Sequence, residues 1–143
     1  FFIHNDRLPY LGINLELDPR TQAENWIQIQ LKRYQSNGLG HLAVEADGSF
    51  IGVGGIIPRV INGAQEYEIA YSLIPKFWKQ GYGTELAMQM KWYAFKYIKT
   101  KRLISIIHKK NIDSIHVAKK NGMSLLYEME YLGMEVYVFG INR

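Results

Sequence analysis

Two short turns that end in glycine set the strongest limit on how this chain can fold. Asp47-Gly48 and Asn62-Gly63 each separate two runs of apolar residues, and such dipeptides favour the tight turns that join antiparallel strands. The first turn predicts strands over residues 41–46 and 50–57, and the second leads into a strand over 66–74. The sequence therefore predicts an antiparallel unit of three neighbouring strands.

A helix is predicted before this unit. Asp18 and Pro19 suit the start of a helix, and Asn37-Gly38 suits its end. The apolar face predicted for this helix consists of Trp26, Ile27, Leu31 and Tyr34.

The second half of the chain alternates between helical and strand patterns. A helix is predicted over 84–98, with an apolar face made of Leu86, Met90, Tyr93, Ala94 and Tyr97. A β-branched run predicts a buried strand over 103–107, residues 111–121 suit a helix closed by Gly122, and two strands follow over 123–129 and 134–141. The order is helix, three antiparallel strands, helix, strand, helix and two strands, which predicts an α+β fold around one central sheet.

Composition narrows the class of protein. The chain has 143 residues, of which 48% are hydrophobic and 21% are charged, as in one globular domain. No apolar run approaches the roughly 20 residues that a membrane-spanning helix needs, so no membrane partner is expected. Cysteine is absent, which excludes disulfides and thiolate chemistry and favours a cytoplasmic location.

Charge and histidine content bear on two further kinds of site, and a small basic domain that binds nucleic acid stays open as an alternative that rests on charge alone. The formal net charge is +4, but the basic residues are scattered, so nucleic-acid binding is not expected. A small positive excess suits an anionic small ligand. The four histidines have no metal-binding spacing and no cysteine partners, and no metal is expected.

The stretch from Tyr71 to Leu86 carries the strongest chemical signal. A predicted strand ends there, a short loop follows, and Gly81-Tyr82-Gly83 leads directly into a helix. Amides at a helix start lack internal partners, the helix dipole favours negative charge there, and glycine lets a ligand approach the backbone. These features suit a phosphate or pyrophosphate, although a glycine pair before a helix is by itself more often a plain turn. Neither the Walker pattern nor the three-glycine dinucleotide pattern is present.

Two motifs in this region resemble those of a known family. Phe77-Trp78-Lys79-Gln80-Gly81-Tyr82-Gly83-Thr84-Glu85 resembles the coenzyme A signature of the GNAT N-acetyltransferases, in the branch of the ribosomal-protein acetyltransferases RimJ and RimL. Further along, residues 111–123 are similar to that branch's second signature, Asn-x-x-Ser-x-x-Val-x-x-Lys-x-Gly. The resemblance covers nearly the whole chain. The family's opening strand has no counterpart before Phe1, so one N-terminally incomplete domain over 1–143 is expected.

The resemblance implies a GNAT-like fold, with splayed strands in a mixed central sheet flanked by helices. It also implies direct transfer of the acetyl group of acetyl-CoA to a primary amine, on a protein N-terminus or a small molecule. Amides of residues 80–84 would hold the pyrophosphate, and the pantetheine arm would pair with the strand ending at residues 73–74. The implied cofactor-binding residues are Leu73, Ile74, Lys79, Gln80, Gly81, Tyr82, Gly83, Thr84, Asn111 and Ser114. Lys79 stands where a glycine is frequent in the family, and Asn111 suits a helix cap as well as a ligand contact.

The general base is expected to be Glu68, in the strand that approaches the thioester. Alternation places it on one face with Glu66, and a salt-bridged or solvated surface role stays open. The tyrosine that many relatives use as general acid is replaced by Ala118 or Lys119, although Tyr127 or Tyr131 could reach the site.

Three further expectations follow from the same resemblance. A catalytically inactive module that binds coenzyme A is the alternative to an enzyme. The acceptor is expected near residues 1–17 and 132–135, because acceptor loops determine the choice of amine in this fold. A homodimer through the last strands is also considered.

Overall fold

The computed structural model of this chain describes residues 13–143. Within them lie α1 (Pro19–Asn37), β1 (His41–Ala46), β2 (Ser49–Ile61), β3 (Ala64–Leu73), α2 (Tyr82–Tyr93), β4 (Arg102–His108), α3 (Ile112–Lys120), β5 (Ser124–Tyr131) and β6 (Met134–Asn142). A 3₁₀ turn at Pro75–Phe77 precedes α2, and a π-helical turn at Ala94–Ile98 extends it. The predicted order of elements is confirmed.

The strands form one sheet in the order β1-β2-β3-β4-β6-β5. Every neighbouring pair is antiparallel except β3 and β4, which run parallel. This is the mixed α+β sheet that the family resemblance implied. Asp47 and Asn62 adopt positive φ in the two turns that join β1, β2 and β3, followed by glycine in each, so the turns have the predicted role.

β3 and β4 touch only near their beginnings. Their register contains one pair, Glu68 with Ile104. Arg102 donates two side-chain hydrogen bonds to Glu66 across the same pair of strands, and the Ser105 hydroxyl donates to the Ile69 carbonyl at 3.1 Å. Beyond that bond the register gives no further pair, so the two strands are splayed as expected.

Helices α2 and α3 cover one face of the sheet. Their buried residues, with Ile69, Leu103 and Ile107 of the strands, belong to one apolar cluster. Gly54 in β2 allows this packing, because a Cβ there would lie 2.8 Å from the Leu86 side chain of α2. The opposite face carries α1.

The ends of α1 are as predicted, but its predicted apolar face is only half right: Trp26 and Tyr34 contact His41 of β1. Asp18 accepts hydrogen bonds from the amides of Arg20 and Thr21. However, Ile27 and Leu31 are 49% and 46% exposed, whereas Gln22 and Gln30 are buried. Polar groups on the sheet explain why Gln30 faces it. The Gln30 Oε1 accepts from the backbone amide of His41 at 3.0 Å.

The predicted face of α2 needs a smaller correction. Met90 and Ala94 are buried as predicted, but Tyr93 and Tyr97 are 46% and 54% exposed, and Ala87 is buried beside them. The π-helical turn at Ala94–Ile98 widens the helix and changes which residues face the sheet. No helix within residues 13–143 is long and apolar enough to cross a membrane.

Candidate active site

A cavity of about 260 Å³, here called the α2–α3 cavity, opens between the start of α2 and the start of α3. Seven of the ten predicted cofactor-binding residues line it: Leu73, Lys79, Gly81, Gly83, Thr84, Asn111 and Ser114. The other three, Ile74, Gln80 and Tyr82, lie in the adjoining backbone without lining it. The structure therefore brings most of this set together.

The loop before α2 turns a series of amides outward. Lys79 and Gly81 have φ of +58° and +90°, the left-handed region that glycine adopts most easily. The first backbone bond of the helix runs from the Glu85 amide to the Gly81 carbonyl at 3.1 Å, and no carbonyl of residues 13–143 accepts from the amides of residues 80–84. Lys79 and Lys120 add positive charge to the lining. Unpaired amides beside two ammonium groups fit the pyrophosphate of coenzyme A.

More of the backbone hydrogen-bonding groups at the end of β3 have partners than expected. The Ile74 amide donates to the Ile51 carbonyl at 2.8 Å, and the Leu73 carbonyl accepts from the Trp78 indole at 2.7 Å. The Ile74 amide is therefore not available to pair with a pantetheine arm, whereas the Leu73 carbonyl can still accept one further hydrogen bond. The register places Leu73 opposite Gly52 in β2, so pairing has to use groups of β3 that face away from β2.

Asn111 has one of the two roles left open by the sequence, and its position is compatible with the other. Its side-chain oxygen accepts from the Ser114 amide at 3.3 Å, so it caps α3. It also lines both the α2–α3 cavity and the space between β3 and β4. The cap fixes the side chain at the edge of the cavity.

The space between β3 and β4, here called the gap, is a cavity of about 80 Å³. It shares Tyr71 and Asn111 with the α2–α3 cavity. It shares Glu68, Ala70, Ile106 and His108 with a third cavity on the other face of the sheet. The gap thus adjoins a cavity on each face of the sheet.

The third cavity, here called the α1 cavity, has a volume of about 400 Å³ and lies between α1 and the sheet. Its lining includes Ile13, Asn14, Leu17, Leu132 and Met134, from the two segments expected to select the acceptor. The part of that expectation on residues 1–12 lies outside the described residues.

Glu68 lies where the gap meets the α1 cavity. It is 6% exposed and accepts from Arg59 Nε at 2.7 Å. Burial raises the pKa of Glu68, and the nearby Arg59 and the Ile106 amide oppose that rise without cancelling it. The residue is therefore buried and salt-bridged, not solvated. Glu66, on the same face, pairs with Arg102 and lines none of these three cavities.

The two tyrosines that could replace the family's general acid, Tyr127 and Tyr131, also differ in position. Both pack against the apolar cluster of Ile61, Ile104 and Val138, but Tyr131 also lines the α1 cavity and Tyr127 does not. On α3, Ala118 is buried beside the gap and Lys119 is exposed.

Sequence reasoning missed several residues of the α1 cavity. Arg33, His41, Arg59 and His108 all line it, and none was singled out from its local pattern. A signal existed on α1, where Gln22, Trp26 and Gln30 recur every four residues and lead to Arg33. Among residues 13–143 no group of three His, Asp or Glu side chains could hold a metal ion.

Comparisons with known proteins agree with this arrangement. The family model described as an acetyltransferase (GNAT) domain matches residues 8–124. The uncharacterized protein YkkB of Bacillus subtilis is 28% identical over 109 residues, covering 75% of this chain and 63% of that protein. The chain thus spans less than two thirds of this relative's length.

Solved structures of acetyltransferases share the fold. An acetyltransferase from Agrobacterium tumefaciens superposes with a TM-score of 0.79 at 22% identity, over 99% of this chain and 81% of that one. A chimeric form of the spermidine N-acetyltransferase SpeG from Vibrio cholerae has a TM-score of 0.68 at 16% identity, over 83% and 75% of the two chains.

Proposed function

We propose that this chain, which belongs to the GNAT acetyltransferase family, transfers the acetyl group of acetyl-CoA to a primary amine. The observation that carries the proposal is the series of three adjoining cavities that share lining residues. A cradle of unpaired amides lies at one end, a buried carboxylate lies at the gap, and a cavity large enough for a small acceptor lies at the other end.

The α2–α3 cavity is proposed to hold coenzyme A. Amides of residues 80–84 and the Lys79 and Lys120 ammonium groups would bind the pyrophosphate. Asn111 and Ser114 would contact the pantetheine arm on its way to the gap. Bound there, acetyl-CoA supplies a thioester carbonyl that an amine can attack.

The acceptor amine is proposed to enter through the α1 cavity. It loses a proton, its nitrogen bonds to the carbonyl carbon, the carbon–sulfur bond breaks, and the sulfur leaves and takes up a proton. Because both substrates meet in the gap, alignment provides much of the acceleration and no covalent enzyme intermediate is needed.

Glu68 is proposed to accept the proton of the amine, directly or through water. Burial raises its pKa, which brings the carboxylate closer to the range where a general base works well at neutral pH. The Arg59 hydrogen bond fixes the orientation of the carboxylate. Tyr131 lines the α1 cavity, and its hydroxyl is the proposed substitute for the family's general acid.

The two signature motifs support the RimJ/RimL-like branch, with a protein N-terminus or a small amine as acceptor. Because the reaction consumes acetyl-CoA, we place it in the cytoplasm. An inactive coenzyme A-binding module is the alternative, and turnover with amines separates the two.

The test combines acetyl-CoA calorimetry with a thiol-release assay on a panel of amines. Gly83 is the best position for a block, because its φ is not positive and a Cβ there would lie 3.4–4.0 Å from Tyr71, Val117 and Leu73, which line the cavity. We expect Gly83→Glu to raise the Kd for acetyl-CoA by at least about 100-fold through charge repulsion.

Gly83→Ala is the matched control and should bind acetyl-CoA within about 3-fold of the wild type. An acidic residue suits the first turn of a helix, so Gly83→Glu should keep its thermal stability. Unchanged binding in Gly83→Glu, or no binding to the wild type, contradicts the proposed site. Binding without turnover of any amine favours the inactive module.

A further inference from the structure

The Gln30 amide in the wall of the α1 cavity has a fixed orientation. Its Oε1 accepts from the His41 backbone amide at 3.0 Å and from Arg33 Nη1 at 3.2 Å. Its Nε2 donates to the Trp26 carbonyl at 3.4 Å. Two donors on one side and an acceptor on the other assign the oxygen and the nitrogen.

This orientation determines the tautomer of His41. Its Nδ1 lies 3.3 Å from Gln30 Oε1, and an amide oxygen can only accept, so Nδ1 carries the hydrogen. Burial, and then the charges of Arg33 and Arg59, lower the pKa of His41 to about 3. The ring is therefore neutral near pH 7, and Nε2 carries a lone pair without a hydrogen.

The cavity wall thus contains buried acceptor atoms that need donors. His41 is 7% exposed, and its Nε2 has no hydrogen-bond partner. Gln22, also 7% exposed, has an Oε1 in the same condition. Both residues line the α1 cavity. A buried polar atom without a partner is costly, so a ligand that presents N–H or O–H groups is favoured here.

The charges that line the α1 cavity favour a second feature of the ligand, a negatively charged group. Within residues 13–143, the Asp, Glu, Lys and Arg side chains that line it are Arg33, Arg59 and Glu68. Arg59 and Glu68 compensate each other at 2.7 Å. Arg33 donates one hydrogen bond to Gln30 and forms no ion pair with a described residue, although a guanidinium offers five N–H donors.

We propose that the acceptor is a small amine that also carries a carboxylate, which Arg33 binds within the α1 cavity. The inference rests on the proposed acetyl transfer and names its substrate class. The ammonium or amine of such a ligand supplies donors for the wall, and its carboxylate supplies the ion-pair partner for Arg33, since the carboxylate of Glu68 is paired with Arg59. A guanidinium binds a carboxylate through paired hydrogen bonds, whereas a polyamine would place further positive charge beside it.

The experiment compares amines that differ in this one group. The twenty standard amino acids, their α-amides and spermidine are offered to the wild-type chain with acetyl-CoA, and thiol release gives kcat/KM for each. We expect at least one amino acid to exceed its own amide by at least about 10-fold, since a charged hydrogen bond contributes that much. Preference for spermidine or for the amides overturns the proposal.

Variants at Arg33 test the assigned residue. Arg33→Gln should lower kcat/KM for the amino acid by about 10- to 100-fold and leave its amide within about 2-fold. Arg33→Glu should reverse the preference towards spermidine. Lys32→Gln, at the exposed neighbouring position, is the control and should keep the wild-type preference. Equal losses for amino acid and amide in Arg33→Gln would indicate a structural role only.

Failure of this inference can be separated from failure of the proposed function. Acetyl-CoA calorimetry on the wild type reports the cofactor site alone. If acetyl-CoA binds and no amine reacts, the complex with coenzyme A is titrated with N-acetyl amino acids and their amides. Binding of the carboxylates that is lost in Arg33→Gln supports the inference, and equal binding of both series overturns it.

Discussion

The α2–α3 cavity and the α1 cavity are built in different ways. The α2–α3 cavity depends mainly on backbone amides of one continuous segment, residues 79–84. The α1 cavity depends on the side chains of Arg33, His41, Arg59 and Glu68, which come from four separate elements. Many different sequences can present the same backbone amides, because the side chains are not involved. In the α1 cavity, by contrast, every substitution of a lining residue changes the groups that face the ligand. The difference supports our proposal that the constant co-substrate occupies the first cavity and that the second determines the choice of acceptor.

The largest expected effect is at Glu68. Glu68→Gln should lower kcat by about 100-fold or more, because a positioned base is lost, while the Kd for acetyl-CoA stays within about 2-fold. Since burial raises the pKa of Glu68, the wild-type rate should fall as pH decreases through that raised pKa. The variant should lack this acid limb in its pH–rate profile.

Glu66→Gln is the matched control, since Glu66 lies on the same strand face in a comparable pair with arginine. It should lower the free energy of unfolding while leaving the acid limb in place. An equal loss of kcat in the two variants, with acid limbs retained in both, would mean that neither carboxylate acts as base.

Acid stability should reveal the buried histidine of the α1 cavity. The pKa of His41 is lowered to about 3 from 6.5, so the unfolded chain binds an extra proton between these values. The contribution of the neutral His41 ring to the free energy of unfolding is complete above pH 6.5. It is lost as pH falls, at about 1.4 kcal/mol per pH unit. Urea titrations at pH 7 and pH 5 should show the loss for the wild type and a smaller one for His41→Gln. The same change at the exposed His116 is the control, and a wild-type slope in His41→Gln contradicts the assignment.

Lys79→Gly should separate the strain in the amide cradle from the charge of its side chain. Relief of the positive φ contributes about 1 kcal/mol, and the flexibility of glycine in the unfolded chain offsets part of it. We therefore expect a gain in the free energy of unfolding below about 1 kcal/mol. Affinity for acetyl-CoA should fall about 3-fold as a cation is lost.

Lys99→Gly is the matched control for this variant. Lys99 also has a φ of +58° and lies outside the α2–α3 cavity. It should gain similar stability with unchanged affinity for acetyl-CoA. Weaker acetyl-CoA binding in Lys99→Gly would show that the loss in Lys79→Gly does not come from the local charge.

The smallest effect is expected at Thr84, which lines the cavity and contributes an amide. Thr84→Ala removes the hydroxyl and keeps that amide, so the Kd for acetyl-CoA should change by less than about 3-fold in calorimetry. A loss of 30-fold or more would break the comparison, because side chains would then determine binding in both cavities.

The fold could be predicted where its signals are local. Glycine turns and the Asp18 cap act over a few residues, and both were found from the sequence. The length of β2 was underestimated, since Pro58 reads as a strand breaker. In the structure β1 ends its pairing at Gly55, so Pro58 lies where β2 has no neighbour on that side and its missing amide costs little.

The candidate site likewise divides into a part with local sequence signals and a part without them. The cradle before α2 could be predicted because its residues are consecutive. Arg33 and Glu68 are separated by most of three strands and meet only in the folded chain, so local patterns could not pair them. Ile27 and Leu31 were wrongly placed on the buried face of α1 for the same reason, since the polar partner that buries Gln30 lies on β1.

The ties between Glu66 and Arg102, and between Ser105 and Ile69, form a pivot from which β3 and β4 splay, and Ser105 and Ile69 line the gap itself. From Ile104 to His108 the chain advances by about 13 Å. A rotation of about 5° at the pivot would therefore move the far end of β4 by about 1 Å, a displacement that can change a rate about 100-fold. Under the proposed transfer, alignment of the two substrates in the gap would thus depend in part on the pair of Glu66 and Arg102, which lines none of the three cavities.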